Sequence, residues 1–282
     1  MPAISGATRL AAVIGDPVRH SLSPIIHNAA FVATDLDWVY VAFDVPAGRA
    51  GDALDAMRQL GIGGLSVTMP HKTEVARAVE SRSDAVAVLD AANCVVARPD
   101  GLRGENTDGE GFLAGLAVDA GFDVADRRVL VIGAGGAARA VVYAVAGAGA
   151  ASICVHNRSA ERAQAAAALA GTRGCVVDLV DLGQYDLIVN ATPVGMAGPL
   201  AATMPCATDE LHSSQLLVDL IYQPTETLWV RTARARGVEA YNGVSMLVGQ
   251  AAVAFEHWTG LAAPVQAMTS AVRAELVRQS TS

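Results

Sequence analysis

Arg128-Val-Leu-Val-Ile-Gly-Ala-Gly-Gly-Ala-Ala138 joins a β-branched apolar run to a glycine turn and then to an Ala/Val-rich helical stretch. A dinucleotide fingerprint requires this strand–turn–helix context, and a bare glycine pattern without it says little. Gly133 permits the tight turn, and Gly135 lets backbone approach a pyrophosphate. Ala138 takes the third, helix-packing position, where alanine is an accepted variant. The backbone N–H groups around Ala134, Gly136 and Ala137, at the positive end of the following helix, would hold the diphosphate. A plain turn is the competing reading, and the flanking strand and helix favour the nucleotide.

The next strand bears on which nucleotide. An NAD site would place Asp or Glu ~20 residues further on, to accept the ribose hydroxyls. Here Ile153-Cys-Val-His156 runs into Asn157-Arg158-Ser159, with Arg162 close behind. A carboxylate would repel a 2′-phosphate, whereas a guanidinium can pair with it bidentately. Solvated charges at a helix start are the alternative, but cations are disfavoured at that positive end. NADP is therefore the expected cofactor.

Outward from this centre, β-branched runs alternate with Ala-rich helical stretches, the signature of βα units. Strands are expected at 10–14, 39–45 and 65–68, with helices near 24–33, 50–60 and 72–79. A hairpin-like pair, 93–97 and 102–104, flanks Arg98-Pro-Asp-Gly101. The pattern restarts at 128–132. A helix over 137–146, a strand at 152–156, a helix over 160–169 and strands at 175–177 and 187–190 follow. Strands at 215–219 and 238–241 enclose a helix near 225–234, and helices near 245–258 and 264–278 end the chain. The expected fold is two α/β domains. A substrate domain with a mixed sheet spans 1–107 plus 243–282, and a Rossmann-like NADP-binding domain spans 108–242. The C-terminal helices return to the first domain.

A length of 282 residues suits two domains, and 52% hydrophobic against 17% charged residues gives material for buried cores. A net charge of −8 argues against nucleic acid, whose phosphates an acidic surface repels. Cys94, Cys154, Cys175 and Cys206 form no CxxC pair, so neither a disulfide nor a zinc site is expected, and a reducing cytoplasm fits. The start, MPAISGATRL, lacks a signal-peptide pattern, and Gly, Pro or charge cuts every apolar stretch before ~18 residues. No membrane association is expected. The sequence leaves monomer and homodimer open.

Early in the chain stands Gly15-Asp-Pro-Val-Arg-His-Ser-Leu-Ser-Pro-Ile-Ile-His-Asn28. Ser23-Pro24 suits an N-cap followed by proline at the first helical position, which leaves Ser21 without a structural task. Two hydroxyls one residue apart beside a helix start make a plausible carboxylate clamp. Later come Leu65-Ser-Val-Thr-Met-Pro-His-Lys72, Asn93 and Gly104-Glu-Asn-Thr-Asp108. With GAGGAARA, NRSxxR, NATPxGM, DLIYxPxxT and NGxxMLVxQA following in order, the chain resembles the shikimate dehydrogenase family from about residue 10 to about residue 260. Each motif alone is of moderate weight; the ordered set is specific.

The resemblance implies reversible NADPH-dependent reduction of 3-dehydroshikimate to shikimate, a step towards chorismate and the aromatic amino acids. It implies that Ser21 and Ser23 bind the carboxylate, that Thr68 and Asn93 contact ring substituents, and that Lys72 and Asp108 form the catalytic pair. It places Tyr222 and Gln250 at the pocket. Thr192, Pro193, Leu220, Gly243 and Met246 would lie near the nicotinamide. The family usually has Asn where this chain has Ser66, so one substrate contact would pass through water or move.

Hydride transfer is the cofactor's chemistry; the protein must orient the carbonyl and supply a proton. Lys72 can donate it to the developing alkoxide, with Asp108 fixing the ammonium. Seen alone, Lys72 reads as a solvated lysine and Asn106-Thr-Asp108 as a helix cap; the motif set reverses both. The rivals are a quinate or aminoshikimate dehydrogenase using NAD or NADP, and a non-catalytic nucleotide-sensing protein. The six histidines show no ligand spacing, so no metal is expected.

Overall fold

The computed structural model describes residues 4–178 and 181–280. The chain divides into two compact units, 1–107 with 248–282, and 108–247.

The first unit opens with β1 (Arg9–Gly15), α1 (Ser23–Ala33), β2 (Trp38–Asp44), α2 (Ala50–Leu60), β3 (Gly64–Val67) and α3 (Lys72–Ala78). The short elements β4 (Ser81–Arg82) and α4 (Asp84–Leu89) follow, then the hairpin β5 (Cys94–Arg98) and β6 (Gly101–Glu105). The sheet order is β2-β1-β3-β5-β6-β4. β1 runs parallel to β2 and β3, whereas β5 is antiparallel to both β3 and β6, so the sheet is mixed, as expected. Successive strand residues face opposite sides. Ala12, Ile14, Leu65, Val67 and Val95 pack with Leu54, Met57 and Val75 into one core. The other face carries an aromatic cluster of His27, Phe31, Trp38, Tyr40, Phe255 and Trp258.

The second unit contains α5 (Asp108–Ala120), β7 (Arg128–Ile132), α6 (Gly136–Gly147), β8 (Ser152–His156), α7 (Ala160–Ala167) and β9 (Gly174–Val176). It continues through β10 (Leu187–Asn190), β11 (Leu216–Asp219), α8 (Leu228–Ala235) and β12 (Glu239–Tyr241). α9 (Val244–Thr259) carries the chain out of this unit, and α10 (Val265–Ser280) closes the first. The sheet is all parallel in the order β12-β11-β10-β7-β8-β9, the Rossmann arrangement. A parallel sheet covered on both faces needs strands apolar on both sides. Val129 and Val131 accordingly enter one core while Leu130 and Ile132 enter the other. No described helix is long and apolar enough to cross a membrane.

Three expectations are corrected. Cys154 and Cys175 form a disulfide. β8 and β9 are parallel and in register with Cys154 opposite Cys175, so two cysteines distant in sequence become direct neighbours 4.5 Å apart at Cα. The cysteines therefore give no argument for a reducing compartment. Ser23 is not an N-cap: α1 begins at Ser23 itself, behind Leu22, with no side-chain cap. Ser21, by contrast, has a local task, because its hydroxyl accepts the Ser23 N–H at 3.2 Å.

Candidate active site

In the first unit the site residues gather where β1 and β3 end. The loops leaving these strands are tied together, Thr68 N–H donating to Ile14 O at 2.9 Å and Asp16 N–H to Met69 O at 3.0 Å. A Cβ on Gly15 would come within 2.5 Å of the Thr68 methyl, so only glycine lets the two loops close. Val18 N–H and Arg19 both bind Asp44, which anchors the segment leading to Ser21 and Ser23. These two bonds hold the Asp44 carboxyl below its usual range.

Asn93 stands beside Thr68, because Val67 N–H donates to Asn93 O at 2.8 Å. Asn93 is 4% exposed, and its side chain grips Thr107 twice: its amide donates to Thr107 Oγ1 at 3.0 Å and its carbonyl accepts Thr107 N–H at 2.7 Å. Asn106 donates to Ala91 O at 2.9 Å. From the same turn, Ala92 N–H donates to Lys72 O at 2.9 Å. One short turn, 91–93, thus holds both the backbone of Lys72 and the residues just before Asp108. Lys72 is the first residue of α3, a position where the helix dipole disfavours a cation. Helix stability does not explain a lysine there. His71, beside it, is fully buried and donates from Nε2 to Val45 O at 2.7 Å. Ser66 is buried on β3, Thr68 half-buried, and Gln250 lies half-buried on the part of α9 that belongs to this unit.

In the second unit, Gly133 sits at φ +116°, and a Cβ there would meet Ala191 O at 2.9 Å. This close approach lies between β7 and β10, the point where the strand order reverses and dinucleotides bind. A Cβ on Gly135 or Gly136 would meet nothing within 4 Å, so the start of α6 opens onto clear space that a side chain would fill. Ala134 is buried in the turn, Ala137 is half-buried, and Ala138 is fully buried against the sheet. After β8, Asn157 donates to Ser159 O at 3.0 Å, and Ser159 caps α7 by accepting Arg162 N–H. Arg158 and Arg162 are exposed, and neither forms an ion pair among the described residues. An open cradle of N–H groups with two unpaired guanidiniums nearby fits a phosphorylated dinucleotide.

At the ends of β10 and β11 lies a polar network that the sequence reading missed. Asp219 is fully buried and accepts from Asn190 Nδ2 at 2.9 Å, Ile221 N–H at 3.2 Å and Thr227 Oγ1 at 2.7 Å. Burial raises its pKa, and the three donors oppose that rise. Asn190 also accepts Thr192 N–H and Oγ1, so the network shapes the loop carrying Thr192 and Pro193. The signal was present as the Asp and Thr of DLIYxPxxT, eight residues apart across one turn. Leu220 and Gly243 touch directly, since a Cβ on Gly243 would fall 2.0 Å from Leu220 O. Tyr222 follows, half-buried, and burial raises its pKa. Met246 packs beside α5, against Gly115.

Three family models cover most of the chain: the shikimate dehydrogenase substrate binding domain over residues 13–95, shikimate / quinate 5-dehydrogenase over 116–221, and the shikimate 5'-dehydrogenase C-terminal domain over 243–273. The chain belongs to the shikimate dehydrogenase family. Shikimate dehydrogenase (NADP(+)) of Moorella thermoacetica is 42% identical, over 96% of this chain and 94% of its own length. A crystal structure of shikimate dehydrogenase in complex with NADP+ superposes with a TM-score of 0.92 at 35% identity, covering 97% of this chain and 98% of that one. The Thermus thermophilus enzyme, solved with NADP(H) and shikimate, gives 0.88 at 35% identity, covering 95% and 99%.

Proposed function

We propose that this chain is an NADP-dependent dehydrogenase that interconverts 3-dehydroshikimate and shikimate with a Lys72–Asp108 pair. Ser21 and Ser23 bind the carboxylate, and Ser66, Thr68 and Asn93 bind ring hydroxyls. Tyr222 and Gln250 complete the acid's surroundings. The cradle at 133–137 holds the diphosphate. Asn157, Arg158, Ser159 and Arg162 take the 2′-phosphate, while Thr192, Pro193, Leu220, Gly243 and Met246 line the nicotinamide.

Bound NADPH supplies a hydride to the carbonyl carbon. As the C=O bond opens, Lys72 Nζ gives its proton to the oxygen, so that ketone becomes secondary alcohol and the ammonium becomes an amine that solvent reprotonates. The reverse direction uses the same amine as base. Asp108 holds the ammonium in place and accepts a substrate hydroxyl. The observation that carries the pair is the 91–93 turn, which binds the Lys72 carbonyl and, through Asn93, the residue preceding Asp108.

A crossed assay of shikimate and quinate with NADP+ and NAD+ tests the reading. Shikimate with NADP+ is expected to give the highest kcat/KM of the four combinations. Equal or better turnover of quinate with NAD+ would transfer the chain to the quinate-oxidising branch.

A further inference from the structure

The motif containing Ser21 and Ser23 ends in His27-Asn28, which have no part in the mechanism above. Both residues hold Tyr40. The Asn28 amide donates to Tyr40 O and its carbonyl accepts Tyr40 N–H, each at 2.9 Å. The His27 ring stacks on the Tyr40 ring with centroids 4.4 Å apart and planes 13° from parallel. Yet the Tyr40 hydroxyl, sealed from solvent, completes no hydrogen bond. Buried polar groups nearly always find a partner, so this exception calls for a cause.

Register shows where the phenol lies. Tyr40 pairs with Ala11 and Ser66 pairs with Val13, and Ala11 and Val13 share one face of β1. Tyr40 and Ser66 therefore stand on the same face of the sheet, which α1, with Ser23, also packs against through Phe31. Tyr40 is 2% exposed and Ser23 and Ser66 are 9% each, so the phenol lies deeper than both serines. Burial raises the phenol's pKa, and the hydroxyls of Ser66 and Ser23 each counter the rise, as neighbouring hydrogen-bonding groups do.

We propose that Tyr40 is a positioning residue for the acid site: its unpartnered O–H is held in reserve for the Ser66 hydroxyl, donating to it when that serine gives its own proton to the acid. A serine hydroxyl has one proton and two lone pairs. When a buried phenol occupies a lone pair, the serine proton is left for the substrate, whose oxygens need donors. The short Ser66, standing where the family usually has Asn, thereby gains a directed donor that an amide would carry by itself. This inference rests on the reading that Ser66 and Ser23 contact the acid.

Tyr40→Phe in the full-length protein removes only the hydroxyl. The expected result is a rise of about tenfold in KM for shikimate, as for the loss of a hydrogen bond that orients a donor to a charged ligand. KM for NADP+ and kcat should stay within about threefold, and Tm should hold or rise because an unsatisfied buried group is gone. Adding Ser66→Asn to Tyr40→Phe should recover most of the lost KM. Ser66→Ala should raise KM alike, and combining it with Tyr40→Phe should add little. An unchanged KM for shikimate in Tyr40→Phe overturns the proposal. So does a fall in Tm with parallel losses in both KM values and kcat, which marks a purely structural role. A wild-type protein that does not oxidise shikimate with NADP+ overturns the underlying assignment instead, and is seen before any variant is made.

Discussion

The two units finish their strands in different atoms. In 108–247 the turn after β7 presents backbone: Gly133 has no room for a side chain, and Gly135 and Gly136 face open space. In the first unit the strand ends present side chains, and these are tied down: Asn93 to Thr107, and Ser21 to the Ser23 amide. A backbone site announces itself through glycine spacing, because few other reasons put glycines there. A side-chain site uses ordinary serines, asparagines and lysines, each with a commoner explanation, and only their order along the chain gives it away.

The comparison breaks most visibly at Lys72. Lys72→Ala should lower kcat for shikimate oxidation by about three orders of magnitude, the scale of a lost positioned acid–base group. NADPH affinity, read by fluorescence titration, should change less than twofold, since the backbone cradle is untouched. A matching loss of NADPH affinity would show that the two kinds of site are not separable.

Arg158 tests the other side with a smaller effect. Arg158→Asp replaces a guanidinium–phosphate pair with like-charge opposition, and NADPH affinity should fall about 30-fold while NADH affinity barely moves. Equal losses for both nucleotides would mean that Arg158 merely supports the loop after β8.

Much of the fold was legible because its strands are β-branched runs broken by glycine turns. α5 was not. Its sequence, DGEGFLAGLAVDA, carries three glycines, residues that weaken helices in isolation. Packing explains two of them: a Cβ on Gly109 would meet Ala140 O at 2.9 Å, and one on Gly115 would meet Met246 N at 3.0 Å. Tertiary contact rewards what local propensity opposes. The disulfide was hidden similarly, since only the parallel register of β8 and β9 brings Cys154 to Cys175. At the acid site the motifs named Ser21 and Ser23, but their roles in the turn came out reversed, because helix starts are ambiguous by a residue.

Each unit also buries a titratable group, Asp219 at the end of β11 and His27 on α1, and the two respond to pH with opposite sign. Asp219 has a raised pKa, so the folded chain takes up its proton before the unfolded chain does, and acid favours the fold at that position. His27 is fully buried without a hydrogen-bond partner on either nitrogen, and burial lowers its pKa from 6.5 to about 3. Above 6.5 both states of His27 are neutral and nothing is lost. Between 6.5 and about 3 the unfolded chain binds a proton that the folded chain refuses, so stability falls as pH drops. The loss from this ring amounts to about 1.4 kcal/mol at pH 5.5, one unit below the unfolded value. His27→Leu removes the ring's titration while keeping the position apolar, whatever it does to absolute stability. Urea unfolding of both proteins at pH 7.5 and 5.5 should therefore show the wild type losing about 1.4 kcal/mol more than the variant. Equal losses would mean that the imidazole takes up its proton in the folded chain, and that the face carrying Tyr40 admits water.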